Sequence, residues 1–501
     1  MNTDPTGTAP HGDAIRVPAA ILVGLVLAVY GACVFVPYAL TDEYGQLLYI
    51  LNHWCDWTTN SLARDGRPIA SFLIDGGFRL AGGIAGLGIL RAAALAGALS
   101  FSIYLFGRIV KAGFAVHEAF AIALVAVLSP GMGEYVGWAV SWPYPFLMLF
   151  VIWLGFRMGD ASGDSPGRVF ADSAFAVGAL QFVMLTYQPV AGFLVLPGLL
   201  MLHRGKLRPL VFAIPSLAAA FLLYRVATYP LIHHLAPVMC HTTRGAIDTD
   251  LPGHLAYIFS HFFSFMASSW GNLLLPHSLA SAAGLISIAA ALLGVAAFAR
   301  GSSGWRRLVA VVLICAAIVI SAPQVFLLGD IWAPRTHAPM AVILAILACQ
   351  GLFWIVGKRR GRALSAAVAT LLVLSAGWAF NAGLVWPARR EYAIVRTSLE
   401  ELRDSGAKEA VVLVTPDAYD PQAPVPIYWH SCYGIVSLIL MNHMETAEVA
   451  REVWPDPAQR PRLLFVKADT SDPLPQGVPV IDLWGRIMEK PSPAATSTTQ
   501  R

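Results

Sequence analysis

The sequence predicts an all-α polytopic membrane protein with about 11 transmembrane helices and a small C-terminal α/β extracytoplasmic domain. Composition, a train of long apolar runs and a late return of charge carry that expectation. The chain is 57% hydrophobic and 13% charged, where a soluble domain carries about 25% charge. Its surplus apolar surface has to face lipid. Net charge is only +4, and Lys and Arg sit in short clusters between apolar runs rather than in one stripe, so nucleic acid is not an expected partner.

Residues 1–11 are polar and no cleavage site follows the first apolar run, which predicts an uncleaved first helix after a cytoplasmic N-terminal segment, 1–16. Runs long enough to cross a bilayer fall at 17–40, 84–107, 114–130, 143–157, 169–187, 188–203, 209–229, 279–299, 308–328, 338–356 and 363–386. Alternate loops carry Arg108 and Lys111; Arg157 and Arg168; Arg204, Lys206 and Arg208; Arg300, Arg306 and Arg307; and Lys358, Arg359, Arg360 and Arg362. With Arg16 they mark the cytoplasmic side, and the transmembrane region 17–386 then leaves its two longest loops, 41–83 and 230–278, outside. Both mix aromatic and polar residues as amphipathic surface helices do, and Leu47, Ile50, Leu51 and Trp54 share one helical face. Charge returns after Trp386. A helix at 391–404 and strands at Ala410–Val414, Leu463–Val466 and Val478–Ile481 predict an outer α/β unit over 387–490, followed by a disordered tail, 491–501. An odd number of spans from a cytoplasmic N-terminus puts that unit outside.

The six cysteines show no metal spacing. Cys33, Cys315 and Cys349 lie in apolar runs and read as buried small residues, whereas Cys55 and Cys240 fall in the two outer loops, where a disulfide is open to them. His233, His234, His241, His254 and His261 lack the i, i+4 spacing of a helical metal pair. No Walker signature and no GxSxG elbow occurs, which disfavours a nucleotide-driven cytoplasmic enzyme.

Polar residues gather at the outer helix ends. Asp42 and Glu43 stand where the first helix leaves the bilayer, a place that suits a general base at the headgroup plane and equally a hydrated helix end. Arg64 and Arg67, with Gly66 between them for a tight turn, can hold a phosphate oxygen, pair with those carboxylates or snorkel. Trp332, Arg335 and His337 precede the tenth run and form either a phosphate clamp with a stacking platform or an aromatic-belt anchor. Glu134, Tyr135 and Trp142 are candidates for sugar or acceptor contact, and Gln188 supplies an amide in the next outer turn. Arg91 and Arg225 read as snorkelling residues.

In their order these features resemble the GT-C superfamily of membrane glycosyltransferases, and within it the bacterial glucosyltransferase II family that modifies O-antigen. The resemblance rests on Asp42-Glu43, Asp65-Gly66-Arg67-Pro68, Tyr187-Gln188-Pro189, Pro334-Arg335 and the stretch Asn381 to Arg403, spread over about residues 20–405. It implies a GT-C-like fold in a bacterial inner membrane and an inverting hexosyltransferase. The donor would be a polyprenyl-phosphate-linked sugar, glucose in the named family, and the acceptor a polysaccharide or glycolipid. By the same resemblance Asp42 is the catalytic base, Glu43 orients the acceptor or binds a cation, and Arg64, Arg67 and Arg335 hold the carrier phosphate. The family often has two aspartates where this chain has Asp-Glu, so the division of labour between them stays open, as does use of a divalent cation (Mg or Mn). A polysaccharide polymerase or ligase, and a lipid-linked-sugar flippase or transporter, are the alternatives. The first would hold several Arg and His around the carrier diphosphate in its long loop, whereas 230–278 has one Arg, Arg244, and five His besides His277. The second would place charge at mid-helix and show duplicated halves, and no internal repeat is apparent.

Overall fold

The computed structural model describes residues 12–40, 43–44, 46–47, 62, 66–161, 166–235, 277–300, 303–321, 336–414, 442–468 and 473–488. The bundle runs through α1 (Gly12–Tyr30), α2 (Pro68–Ala81), α3 (Leu87–Lys111), α4 (Val116–Val127), α5 (Pro130–Gly137), α6 (Tyr144–Ala161) and α7 (Pro166–Tyr187). A 3-10 run, Gln188–Leu194, leads into α8 (Val195–Met201), α9 (Arg208–Leu223), α10 (His277–Ala299), α11 (Trp305–Ile320) and α12 (Ala338–Phe380). Local chemistry fixes several starts. Pro68 and Pro130 open α2 and α5, where the missing N–H has no helical partner to lose. Ser129 caps α5 by accepting from the Met132 amide at 3.4 Å.

Each apolar run of the sequence coincides with helix over most of its length, yet fewer qualify as spans by length and composition. Among the described residues six helical stretches do, with Gly167–Arg204 taken as one and α12 divided at Gly357 (φ 70°, ψ 170°), or seven if α4 and α5, bent by 56°, form one broken span. Among the described residues α1 contributes Ile15–Tyr30 and α10 Leu285–Ala299, both shorter than a span, and α11 is 16 residues long. The close pair of runs around Tyr187 is a true reversal. Tyr187 is extended (φ −158°, ψ 103°), Arg157 of α6 pairs with Asp172 near the start of α7 at 3.0 Å, and Gly159 of α6 faces Met201 at the end of α8. Both arms therefore meet the same end of α6.

That end collects the basic clusters. Arg108 pairs with Asp160 at 2.6 Å, Gly113 lies against Arg204 and Gly361 against His117, and Phe114 stacks on His203 at 4.1 Å. Elsewhere the bundle closes through small residues. A Cβ on Gly294 would lie 1.8 Å from the Leu347 carbonyl oxygen, and one on Gly351 2.2 Å from that of Ala290, so α10 and α12 meet backbone to backbone. Large apolar side chains such as Ile21, Phe72, Leu222, Ile286, Val312 and Leu371 are exposed around the outside, a surface that hydrocarbon accepts and water does not. Cys33 and Cys349 are buried as expected, and Cys315 is exposed.

Past a π-helical turn, Asn381–Val385, the chain enters α13 (Trp386–Ser405), then β1 (Glu409–Val414), α14 (Asn442–Val453), β2 (Arg462–Lys467), β3 (Val480–Asp482) and α15 (Leu483–Met488). The three strands form a parallel sheet in the order β2-β1-β3; β1 and β2 lie within a residue of the expected bounds, and β3 is shifted from the expected Val478–Ile481 to Val480–Asp482. The domain boundary expected at 386/387 is not a boundary in the packing. Tyr392, Val395, Leu399, Val412, Val449 and Trp454 share one core with Ile74 and Phe78 of α2 and Leu87 and Leu90 of α3. Across that seam Glu452 accepts from the Ile84 amide at 3.4 Å and from the Tyr392 hydroxyl at 2.7 Å.

Beside it, Glu448 accepts from Arg451 at 2.7 Å, while its other oxygen is buried without a partner among the described residues. Burial pushes the Glu448 carboxyl up from its ordinary 4.5 to about 7, against the pull of Arg451. The folded form therefore binds this proton more tightly than the unfolded chain, and stability present at acidic pH is lost as pH rises from about 4.5 toward 7. Thermal melts of the solubilised protein across that window should show the decline, and Glu448→Gln should flatten it. An unchanged slope in the variant would assign the decline to another group.

Candidate functional site

At the end opposite the basic clusters, two charged groups are fixed on either side of α5. The first begins where α1 gives way to the short turn ending at Glu43. Glu43 is fully buried and so is Arg91, one turn into α3. The Arg91 Nη2 donates to Glu43 Oε2 at 2.7 Å. The Leu40 amide donates to the same oxygen at 2.7 Å, and the Ala139 amide to Oε1. Arg91 Nε donates to the Gly137 carbonyl at 3.1 Å, and its guanidinium lies 3.6 Å from the Tyr38 ring centroid. Tyr38 in turn donates to Gly137 O at 2.8 Å. Arg91 therefore does not snorkel. It is locked inward because a buried carboxylate gives it a partner that the headgroup region would only replace with water. Both Glu43 oxygens are engaged, so this residue holds the 40–43 turn against α3 and the 139 turn.

The second group is built on Arg67, the residue preceding α2. Gly66 has φ +81°, and a Cβ there would lie 2.0 Å from the Tyr224 hydroxyl, so the tight turn expected of this glycine is real and admits no side chain. Tyr224 opens the π-helical turn Tyr224–Thr228 that follows α9, and its hydroxyl donates to Gly66 O at 2.9 Å. Gln188 bridges the pair: its Nε2 lies 2.7 Å from the Tyr224 hydroxyl, and its Oε1 accepts from Arg67 Nε at 2.8 Å. The Arg67 guanidinium sits 5.1 Å from the Tyr187 ring centroid. Tyr187 stacks flat on Tyr144 at 4.1 Å, and Tyr135 meets both rings edge-on at 6.0 and 5.5 Å.

α5 and the turn after it join the two groups. Gly137 and Ala139 serve Arg91 and Glu43, while Tyr135 supports Tyr187 beneath Arg67. Of the residues singled out in the sequence, Arg67 and Gln188 are in direct contact, and Glu43, Glu134, Tyr135 and Trp142 surround the same element. Glu134 and Tyr135 are fully buried, so Tyr135 backs the site rather than offering a free face to a sugar. Trp142 packs on Gly77 of α2, its indole nitrogen 2.9 Å from where a Cβ would stand. His337 is buried at the start of α12, where the following turn brings Pro339 against Gly192 of the 3-10 run. Asp42, Arg64, Trp332, Arg335, Cys55 and Cys240 lie outside the described residues, as do His241, His254 and His261.

Sequence reasoning passed over Arg91, Tyr38 and Tyr224 as members of the site. A lone cation inside an apolar run was the available signal for Arg91. None marked Tyr224, whose partners are far away in sequence. Among the described residues no group of three or more His, Cys, Asp or Glu side chains is placed to hold a metal. No family model, curated protein or solved structure matches the chain.

Removing one partner of a buried ion pair typically costs about 3–5 kcal/mol. Glu43→Gln and Arg91→Leu should each lower unfolding stability by about that much, with the double variant losing less than the sum. A native melting profile for either single variant would show that the pair does not hold the turn. Gly66→Ala should separate Tyr224 from the Gly66 carbonyl and destabilise by about 1–3 kcal/mol, read in the same assay.

Proposed function

We propose that this chain is an inverting glycosyltransferase that moves a hexose from a polyprenyl-phosphate carrier to a polysaccharide or glycolipid acceptor at the outer face of a bacterial inner membrane. The observation that supports it most is Arg67. Its Nε is committed to Gln188 and its plane to Tyr187, while its terminal nitrogens make no hydrogen bond to the described residues. A half-buried guanidinium held in one orientation with its outer edge unspent suits a phosphate oxygen. It stands at the end of the bundle away from the basic clusters, which the positive-inside rule makes the outer end.

In this reading the carrier stays in the bilayer and only its phosphate reaches Arg67, with Arg64 and Arg335 as further donors. The acceptor hydroxyl attacks the anomeric carbon. Its proton passes to the Asp42 carboxylate, a new C–O bond forms, and the bond to the phosphate oxygen breaks from the opposite face, inverting the centre. Polyprenyl phosphate leaves with the bonding pair, and fixed positive charge stabilises it as that charge develops. Glu43 acts as a positioning residue, since the Arg91 pair anchors the turn next to Asp42. Glu134, Trp142, Gln188, Trp332 and His337 are proposed to shape the sugar and acceptor space, and Tyr135 to support it.

Asp42→Asn should abolish sugar addition while the protein inserts at normal abundance. Arg67→Gln should cut turnover about 10²-fold, as loss of one transition-state donor does, measured with a polyprenyl-phosphate hexose in proteoliposomes. Full activity of Asp42→Asn would remove the assigned base. A deletion strain lacking a side-branch hexose fits a decorating transferase, whereas shortened chains would favour a polymerase.

A further inference from the structure

At the opposite, basic end of the bundle, α3, α6 and α7 part to leave a half-open cleft of about 660 Å³. Arg108, Arg157 and Arg168 line it together with Asp160, Asp172 and Trp153. Arg108 pairs there with Asp160 at 2.6 Å and Arg157 with Asp172 at 3.0 Å. Asp160 is 60% and Arg157 49% exposed, while their partners Arg108 and Asp172 are 20% and 9% exposed. An anion would therefore share these guanidinium groups at their exposed edges rather than displace the carboxylates, because stripping Arg157 from Asp172 would leave a buried charge unpaired.

Two further features specify that anion. Arg108 Nε is buried and has no hydrogen-bond partner among the described residues, although the guanidinium is fixed 4.4 Å from the Phe156 ring centroid. Arg157 is likewise held near the Trp153 and Phe175 rings at 5.8 and 5.1 Å. Both forks are thus oriented by aromatic faces with donor capacity left over, which suits a tetrahedral phosphate better than a carboxylate. On the outward side of α7, Phe170 and Phe175 are 76% and 48% exposed. An anion bound here therefore sits beside a surface that acyl chains would cover. Basic clefts between helices at the cytoplasmic side favour anionic headgroups for this combination of reasons.

We propose that the cleft formed by Arg108, Arg157 and Arg168 binds the phosphate of an anionic phospholipid in the leaflet opposite the transferase site. Its acyl chains would lie along Phe170 and Phe175. Native mass spectrometry of the full-length protein, titrated with phosphatidylglycerol or phosphatidylcholine, tests it. Wild type should retain phosphatidylglycerol preferentially, and Arg108→Gln and Arg157→Gln should each weaken that retention about tenfold. Arg168→Gln, at an exposed position, provides a variant whose folding is not at issue and should weaken it in the same direction. Millimolar inorganic phosphate should not displace the lipid. Equal retention of both lipids, unchanged retention in all three variants, or displacement by inorganic phosphate would each overturn the proposal, the last by making this a soluble-anion site.

Discussion

The Glu43–Arg91 pair constrains more of this molecule than any other contact. Two fully buried charges meet at 2.7 Å, and neither can be left alone without a penalty of several kcal/mol. Every group that satisfies them is therefore fixed: the Leu40 amide in the extended segment beyond α1, the Ala139 amide past α5, the Gly137 carbonyl, and the Tyr38 ring. One ion pair thus ties that segment, α3 and α5 together. Such pairs add little net stability over a well-packed apolar substitute, but they tolerate only one arrangement, and one arrangement is what a site assembled from distant loops requires.

From that fixed level the rest of this end of the bundle follows. α5 is short, bent by 56° from α4, and carries Tyr135, which backs Tyr187 and Tyr144. The tyrosine stack gives Arg67 a floor, and Gln188 with Tyr224 gives it a direction. The small α/β unit is part of the same construction. Its helices share a core with α2, the helix that begins just after Arg67, so the unit braces that helix from above. A domain hung on a linker could not do so.

The two ends of the bundle use arginine differently. Arg91 is sealed from solvent and positions the backbone. Arg67 is half-buried and oriented by neutral groups, and its terminal nitrogens make no hydrogen bond to the described residues. Arg108 and Arg157 at the basic end are oriented by aromatic rings and shared with exposed carboxylates. The side chain is the same in each case, and its role is set by how many of its donors the surroundings consume.

What could be read from the sequence alone was what depends on local composition and period. The apolar runs marked the helices, the alternating basic clusters marked one end, and the short β-branched stretches after Trp386 marked three strands in nearly their observed places. Gly66 between Arg64 and Arg67 announced a tight turn, and Gln188 stood out at the reversal after Tyr187. Which arginine would be buried, which tyrosines would stack, and whether the last unit stands apart were decided only in three dimensions. Glu43 and Arg91 are separated by 48 positions, Arg67 and Gln188 by 121, and Gly66 and Tyr224 by 158. Hydropathy and spacing report what a residue does within one turn of its neighbours, whereas a buried charge or a ring finds its partner through packing, which no local pattern encodes.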